Sequence, residues 1–170
     1  MIHCDIKLCV GCRMCEVACS SGHFGAVSPA LARIRVAKMD ETGIDLAIAC
    51  FSCNEKPCLE CPTEALSVGD RGEIILDSDF CDACGVCADA CPVGAVGFYD
   101  EPLFCDLCDG DPTCVKVCPS GALSYKIGQE VSLAPFLDVQ GSPSQRRVYF
   151  ASVVAEPLRQ GWAEGRRVDS

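Results

Sequence analysis

Cysteines dominate the chemistry that this chain could perform. Of its 17 cysteines, 16 fall into four runs, with two to five residues between neighbouring cysteines of a run. The runs are, in chain order, Cys9, Cys12, Cys15 and Cys19; Cys50, Cys53, Cys58 and Cys61; Cys81, Cys84, Cys87 and Cys91; and Cys105, Cys108, Cys114 and Cys118. Spacing of this kind is how a backbone loop places several thiolates around one inorganic cluster. It indicates a protein that binds iron–sulfur clusters.

The first and third runs share one spacing, in which two, two and three residues separate successive cysteines. It matches the bacterial ferredoxin pattern, whose fourth cysteine ligates the other cluster of a pair. A loop with a cysteine at every third position can deliver three thiolates to a [4Fe-4S] cubane, so the fourth thiolate must come from elsewhere. Four runs therefore predict four [4Fe-4S] clusters arranged as two pairs. The spacing alone does not say which runs are partners.

Two other uses of dense cysteine fit less well. A disulfide scaffold is disfavoured by the odd number of cysteines, and by N-terminal residues that lack a basic region followed by a long apolar stretch. Structural zinc sites usually join two Cys-x2-Cys pairs through a longer loop, whereas here three cysteines at short intervals precede a fourth. Iron–sulfur clusters remain the favoured interpretation.

The rest of the composition argues against several functions. The formal net charge of -10 disfavours nucleic acid as a partner, because that ligand needs a basic surface. The longest apolar stretch, residues 148–155, is too short for a membrane span. No Gly-x-Gly-x-x-Gly or Gly-x4-Gly-Lys-Ser/Thr nucleotide loop is present in the sequence. We therefore expect a soluble, cytoplasmic protein with no catalytic activity of its own.

An internal repeat positions the cysteines. Proline directly follows the last cysteine of three runs, at Pro62, Pro92 and Pro119, and the chain then continues similarly. Proline ends a short helix, and the small residues after it turn the chain into a strand. We expect hairpins that pair residues 33–38 with 44–48, 65–68 with 73–76 and 96–99 with 103–105, and short helices over residues 13–19, 86–91 and 113–118.

The cysteines stop before residue 127, where the composition changes. Pro135, Gly141, Pro143 and their neighbours precede a stretch, residues 148–154, whose β-branched and aromatic residues predict a strand. This extension could pack on its own domain or dock a partner subunit, with Trp162 as a candidate anchor for the second role.

Together, the four runs and their Cys-Pro exits resemble the four-cluster polyferredoxin subunits that serve molybdenum and tungsten oxidoreductases, formate hydrogen lyases and hydrogenase-type complexes. The resemblance covers about the first 125 residues. In that family the first run pairs with the fourth and the second with the third. The implied ligand sets are Cys9, Cys12, Cys15 and Cys118; Cys105, Cys108, Cys114 and Cys19; Cys50, Cys53, Cys58 and Cys91; and Cys81, Cys84, Cys87 and Cys61.

The resemblance implies an α+β fold of two interleaved bacterial-type 2x[4Fe-4S] ferredoxin modules, rich in loops, short hairpins and short helices. Residues 1–49 and 100–126 would form the first module, residues 50–99 the second, and residues 127–170 a C-terminal extension. The second run departs from the family pattern, because only two residues separate Cys58 from Cys61. Cys61 is still assigned as a ligand.

The function implied by the resemblance is electron transfer, through the four clusters, between a catalytic oxidoreductase subunit and another redox partner in anaerobic metabolism. The small subunit of a tungsten-dependent aldehyde oxidoreductase is the most similar kind. The expected partners are a tungsten or molybdenum catalytic subunit, an NAD-linked flavoprotein, and a second copy of the chain. The alternatives are a freestanding ferredoxin or redox sensor, and the electron-transfer subunit of a benzoyl-CoA reductase or hydrogenase complex.

Two residues near the runs have uncertain roles from sequence alone. Cys4 lies outside every run, and we expect it to be a small buried apolar residue and not a ligand. His23 follows the first run and could tune the cluster nearest Cys19 through a hydrogen bond, although a surface histidine is the expected role.

Overall fold

The computed structural model describes residues 1–163, with side chains through residue 161. Within this range the chain forms short strands, four α-helices and single 3-10 turns. The strands are β1 (Ile2–Cys4), β2 (Ile34–Met39), β3 (Ile44–Ala49), β4 (Leu66–Val68), β5 (Ile74–Leu76), β6 (Gly97–Tyr99), β7 (Glu101–Leu103) and β8 (Leu123–Tyr125). The helices are α1 (Met14–Phe24), α2 (Val86–Ala90), α3 (Thr113–Lys116) and α4 (Pro143–Ala163). The expected mixture of short helices and strands is confirmed.

The strands pair as four two-stranded antiparallel ribbons, β1–β8, β2–β3, β4–β5 and β6–β7. The first two predicted hairpins are confirmed as β2–β3 and β4–β5. The third hairpin also forms, but it is tighter than predicted: its second strand begins two residues earlier, so that Gly97 pairs with Leu103 and Tyr99 with Glu101. Sequence patterns did not predict the β1–β8 ribbon, which joins the two ends of the cysteine-rich region through pairs such as Ile2 with Tyr125.

The β2–β3 hairpin is buried on both faces and separates two hydrophobic clusters. One face contributes Ile34, Val36 and Ala47 to a cluster that also contains cysteines of the first and fourth runs. The other face contributes Leu46 and Ile48 to a cluster with cysteines of the second and third runs. Because side chains alternate across a strand, one hairpin can support both groups of cysteines.

Residues 148–154 form part of helix α4, so the predicted strand is wrong. The β-branched residues favour a strand locally, but burial recurs at Phe150, Ala151, Ala155 and Leu158, which is a helical spacing. The contact of this buried face with β2 and β3 outweighs the local preference.

A capping box marks the start of α4, and it is the local sequence feature that indicates a helix here. The Gln145 N–H donates to Ser142 Oγ at 3.3 Å, and the Ser142 N–H donates to Gln145 Oε1 at 2.8 Å. Pro143 occupies the first helical position, where its missing N–H costs nothing. Together these residues fix the helix start beside the third cysteine run.

The described part of the C-terminal extension packs on its own chain. Phe150 and Ala151 belong to the same hydrophobic cluster as the cysteines of the second and third runs. Arg146 is buried, and its guanidinium donates to the carbonyl oxygens of Asp89 and Ala88 at the end of α2. Trp162, the candidate docking anchor, and residues 164–170 lie outside the residues whose side chains are described.

The described residues contain no helix that combines the length and the apolar character needed to cross a bilayer.

Candidate metal centres

Three small, partly open cavities are each lined by four cysteines, three from one run and one from another. Their volumes are similar, about 20, 10 and 20 Å³. We call them sites I, IV and III. Site I is lined by Cys9, Cys12, Cys15 and Cys118; site IV by Cys61, Cys81, Cys84 and Cys87; and site III by Cys50, Cys53, Cys58 and Cys91.

The remaining four cysteines of the runs also lie together and are called site II. Burial raises the pKa of Cys114 to about 12, and the nearby Cys19 and Cys108 thiols raise it further. Burial likewise raises the pKa of Cys105, with Cys114 and Cys19 among the neighbours that add to the shift. These mutual effects show that Cys19, Cys105, Cys108 and Cys114 are neighbours.

The repeated Cys-Pro segment has a physical function at these sites. In all three copies a tight turn forms, in which the N–H of Glu64, Gly94 or Gly121 donates to the carbonyl of the cysteine three residues earlier. The turn brings the next N–H onto the sulfur, and the Ala95 N–H donates to Cys91 Sγ at 3.2 Å. Equivalent bonds from Ala65 and Ala122 help to lower the pKa values of Cys61 and Cys118. Such N–H donors stabilise thiolates that ligate a cluster.

The first run, which has no proline, obtains this donor from a distant segment. Cys19 Sγ accepts a hydrogen bond of 3.2 Å from the backbone N–H of Arg33, which precedes β2. The fourth cysteine of every run thus has a backbone N–H on its sulfur, supplied locally in three runs and by tertiary structure in one.

Neighbouring thiols link the sites in a row. Burial raises the pKa of Cys15 to about 12, with Glu16 and Cys114 adding to the shift, which joins site I to site II. The Cys50 thiol adds to the raised pKa of Cys105, which joins site II to site III. Burial raises the pKa of Cys58 to about 12, with a contribution from Cys87 that joins site III to site IV. The order along the row is I, II, III, IV.

Exposure differs along the row. Cys12 of site I and Cys84 of site IV are exposed, whereas every cysteine of sites II and III is buried or half-buried. Sites I and IV are therefore the outer sites, and sites II and III are the inner sites.

The cysteine residues fit [4Fe-4S] clusters. Each site offers four sulfur atoms, and backbone N–H groups such as those of Ser52 and Leu107 donate to their thiolates. Burial raises the pKa of Cys50 to about 11, so this thiol needs a nearby positive charge to lose its proton at neutral pH. Iron supplies that charge when bound, because thiolates and not thiols ligate it.

Cys4, which sequence reasoning assigned to packing, is half-buried and contacts a run cysteine. The Cys4 thiol shares a hydrogen bond with Cys9, which raises the pKa of Cys4 and lowers that of Cys9 to about 6. The pairing arises from the β1–β8 ribbon, which carries Cys4 to site I and has no signal in the local sequence.

His23 is half-buried and lies beside site II. Its Nε2 is 3.8 Å from Cys108 Sγ, a hydrogen-bonding distance for sulfur. The hydrogen-bonding role that the sequence left as the second alternative is the one that this geometry favours.

Comparison with known proteins agrees with this chemistry. Residues 74–96 match the family of the 4Fe-4S binding domain. The polyferredoxin-like subunit of the aliphatic sulfonate oxidoreductase of Pyrococcus furiosus is 43% identical over 86 residues, which is 49% of this chain and 49% of that protein. The formate dehydrogenase iron–sulfur subunit of Wolinella succinogenes is 35% identical over 107 residues, 60% of this chain and 52% of that protein.

Among solved structures, a chain of the active site complex BamBC of benzoyl coenzyme A reductase is 30% identical, with 94% of this chain and 96% of that chain covered and a TM-score of 0.45. The chain spans about half the length of the first two curated relatives. These sequence similarities show that the chain is a relative of polyferredoxin-like iron–sulfur electron-transfer subunits, with a 4Fe-4S binding domain in its centre.

Proposed function

We propose that this chain conducts electrons through four [4Fe-4S] clusters, one at each of sites I to IV. The observation that carries the proposal is that three cavities are each lined by three cysteines of one run and the fourth cysteine of another, which leaves Cys19, Cys105, Cys108 and Cys114 as a quartet of the same kind. A zinc knuckle has no need for ligands exchanged between neighbouring sites, whereas paired ferredoxin clusters do.

The row of sites suggests a route for the electrons. Each cluster takes up one electron and passes it to the next, so that charge enters near one outer site and leaves near the other. Sites I and II would form one ferredoxin module from residues 1–49 and 100–126, and sites III and IV a second module from residues 50–99. The close approach of Cys105 to Cys50 would connect the two modules.

The chain would be a non-catalytic subunit that exchanges electrons with a catalytic subunit containing tungsten or molybdenum. Support for a catalytic partner comes from the relatives, which are subunits of a sulfonate oxidoreductase and a formate dehydrogenase. Aldehyde oxidation is the reaction that we propose for the complex, with an NAD-linked flavoprotein as the second redox partner. A freestanding ferredoxin would instead elute alone when the native protein is sized under anaerobic conditions.

Iron analysis of anaerobically purified protein tests the cluster number. About sixteen irons and sixteen sulfides per chain are expected from four cubanes, and fewer than twelve irons would contradict the proposal. His3→Ala is the control, because His3 is an exposed residue of β1 outside the quartets and its loss should leave the iron content unchanged. Zinc in place of iron would establish the structural alternative.

Pairs of variants test which cysteines share a cluster. Cys12→Ala and Cys118→Ala belong to site I, so the double variant should lose no more iron than the more damaging single variant. Cys12→Ala combined with Cys84→Ala affects sites I and IV, and the two losses should add. Additive losses for Cys12 and Cys118 would show that they ligate different clusters.

A further inference from the structure

A polar network surrounds one edge of site II. Asp106 Oδ1 accepts a hydrogen bond of 3.0 Å from the Cys108 N–H and lies 3.5 Å from His23 Nε2. The other oxygen of Asp106 accepts a hydrogen bond from the Arg33 guanidinium. The backbone N–H of Arg33 donates to Cys19 Sγ, as described above. Two of the four site II cysteines thus contact His23, Arg33 or Asp106, and the Asp106 carboxylate pairs with the side chains of the other two residues.

The surroundings of His23 determine where its proton lies. Its Nε2 faces the Asp106 carboxylate at 3.5 Å and Cys108 Sγ at 3.8 Å, and both groups are acceptors when ionised. A neutral imidazole next to two acceptors carries its hydrogen on the nitrogen that faces them. The one Nε2–H lies between the Asp106 carboxylate and the Cys108 sulfur and is shared by these two acceptors, and Arg33 holds the carboxylate in place.

The other sites lack this arrangement. Within the described residues, the side-chain donors on the cysteines of sites I and IV are Ser120 at Cys118, Thr63 at Cys61 and the thiol of Cys4 at Cys9. Lys56, near Cys53 of site III, is paired with Glu130 at 2.9 Å. The described part of the chain therefore brings an imidazole to a run cysteine at site II alone.

We propose that His23 is a redox-tuning residue, which raises the midpoint potential of the cluster at site II by donating its Nε2–H to Cys108. The inference rests on the proposed function, since it requires a [4Fe-4S] cluster at site II. An N–H donor to a ligand sulfur stabilises the reduced cluster more than the oxidised one, because the reduced cluster carries one more negative charge. Asp106 and Arg33 act as positioning residues for the ring.

A redox titration followed by electron paramagnetic resonance tests this assignment on the cluster-loaded protein. His23→Phe removes the donor and keeps an aromatic ring beside Phe24, a 6.4 Å neighbour of His23. We expect one midpoint potential of the four to fall, so that the reduced-to-oxidised ratio of that cluster drops about tenfold at the wild-type midpoint. His23→Gln, which keeps an N–H donor, should recover most of the shift, and His3→Gln on exposed β1 is the control that changes no midpoint.

Cys108→Ser identifies the affected cluster, since it should change the same midpoint. The inference is overturned if His23→Phe moves no midpoint or all four, if His23→Gln behaves like His23→Phe, or if Cys108→Ser alters a different signal. Loss of iron from His23→Phe would also overturn it, because His23 would then be a ligand. Wild-type protein with fewer than twelve irons contradicts the proposed function itself, whereas full iron content with an unmoved midpoint contradicts this inference alone.

Discussion

The outer and inner sites differ in exposure and in the state of their thiols. Each outer site has one exposed cysteine. The outer sites also contain Cys9, Cys61 and Cys118, whose pKa values lie below the usual value, although burial raises the pKa values of their Cys15 and Cys87. The inner sites have no exposed cysteine, and burial raises the pKa values of Cys19, Cys50, Cys105 and Cys114 among others. The outer sites are suited to contact with partners. The inner sites depend on iron to compensate for buried negative charge.

Helix α4 adds to this difference. Its Arg147 donates to the Gly94 carbonyl in the turn after Cys91 of site III. Its Arg146 donates to the Asp89 carbonyl at the end of α2. The corresponding turn at site I contains Gly121, around which no atom lies close to a position where a side chain would begin. The described part of the C-terminal extension, through residue 161, therefore covers an inner site and does not cover this part of an outer site.

The largest expected effect comes from removing a cysteine ligand at an inner site. Cys105→Ala should lose more than the four irons of one cluster, because site II lies against both site I and site III and its thiols are enclosed by the core. Cys84→Ala removes an exposed ligand of site IV and should lose about four irons or fewer. Iron and sulfide analysis of both variants, purified anaerobically, measures the difference. Equal losses would remove the distinction between inner and outer sites.

The next effect concerns the turn that α4 covers. In Gly94→Ala the new methyl carbon would lie 2.0 Å from the Pro143 carbonyl oxygen, and φ is +60°, so both crowding and backbone strain oppose it. We expect a loss of about 2–4 kcal/mol in the free energy of unfolding. Gly121→Ala has a similar φ of +68° and open space, and should cost only about 1 kcal/mol. Anaerobic denaturation of the loaded protein provides the comparison, and an equal cost would show that α4 does not press on Gly94.

Oxidation kinetics should separate the two kinds of site. Oxidants reach clusters through exposed ligands, so we expect the clusters at sites I and IV to be damaged first when the protein is exposed to air. Electron paramagnetic resonance during controlled oxygen exposure should show two of the four clusters decaying roughly tenfold faster than the others. Uniform decay of all four signals would argue against protection of the inner sites.

The smallest expected effect lies at outer site IV. Glu64 adopts a φ of +57° in the turn after Cys61, at the position that Gly94 and Gly121 occupy in the other repeats. Glu64→Gly should remove this strain and stabilise the loaded protein by about 0.5 kcal/mol. Glu60→Gly, in the same loop with an ordinary φ of -71°, should destabilise it by a similar small amount. If both variants lower the free energy of unfolding, strain at Glu64 is not a factor.

The predictable and unpredictable parts of this structure differ in the range of their interactions. Hairpins such as β2–β3 follow from alternating residues around a local turn, and the sequence therefore predicted them. The β-branched residues of α4 favour a strand locally, and this led to the wrong prediction. The capping box at Ser142 and the core that the buried face contacts favour a helix instead. The Arg33 donor to Cys19 and the Cys4 bond to Cys9 join distant segments, which no local pattern encodes.

The pairing of the runs was only partly predictable from the sequence. Cysteine spacing indicated four clusters and fourth ligands that come from another run, but it left the partners open. The family resemblance supplied a pairing of the first run with the fourth and of the second with the third. The same cysteines line the cavities of sites I, III and IV. Cys61, despite its shortened spacing, lines site IV together with Cys81, Cys84 and Cys87.

Anomalous diffraction at the iron edge, from crystals grown without oxygen, tests the exchange of ligands between runs most directly. We predict four cubane centres in a single row, with Cys118 at the centre held by Cys9, Cys12 and Cys15, and Cys19 at the centre held by Cys105, Cys108 and Cys114. A centre ligated by all four cysteines of one run, or fewer than four iron centres, would contradict the account.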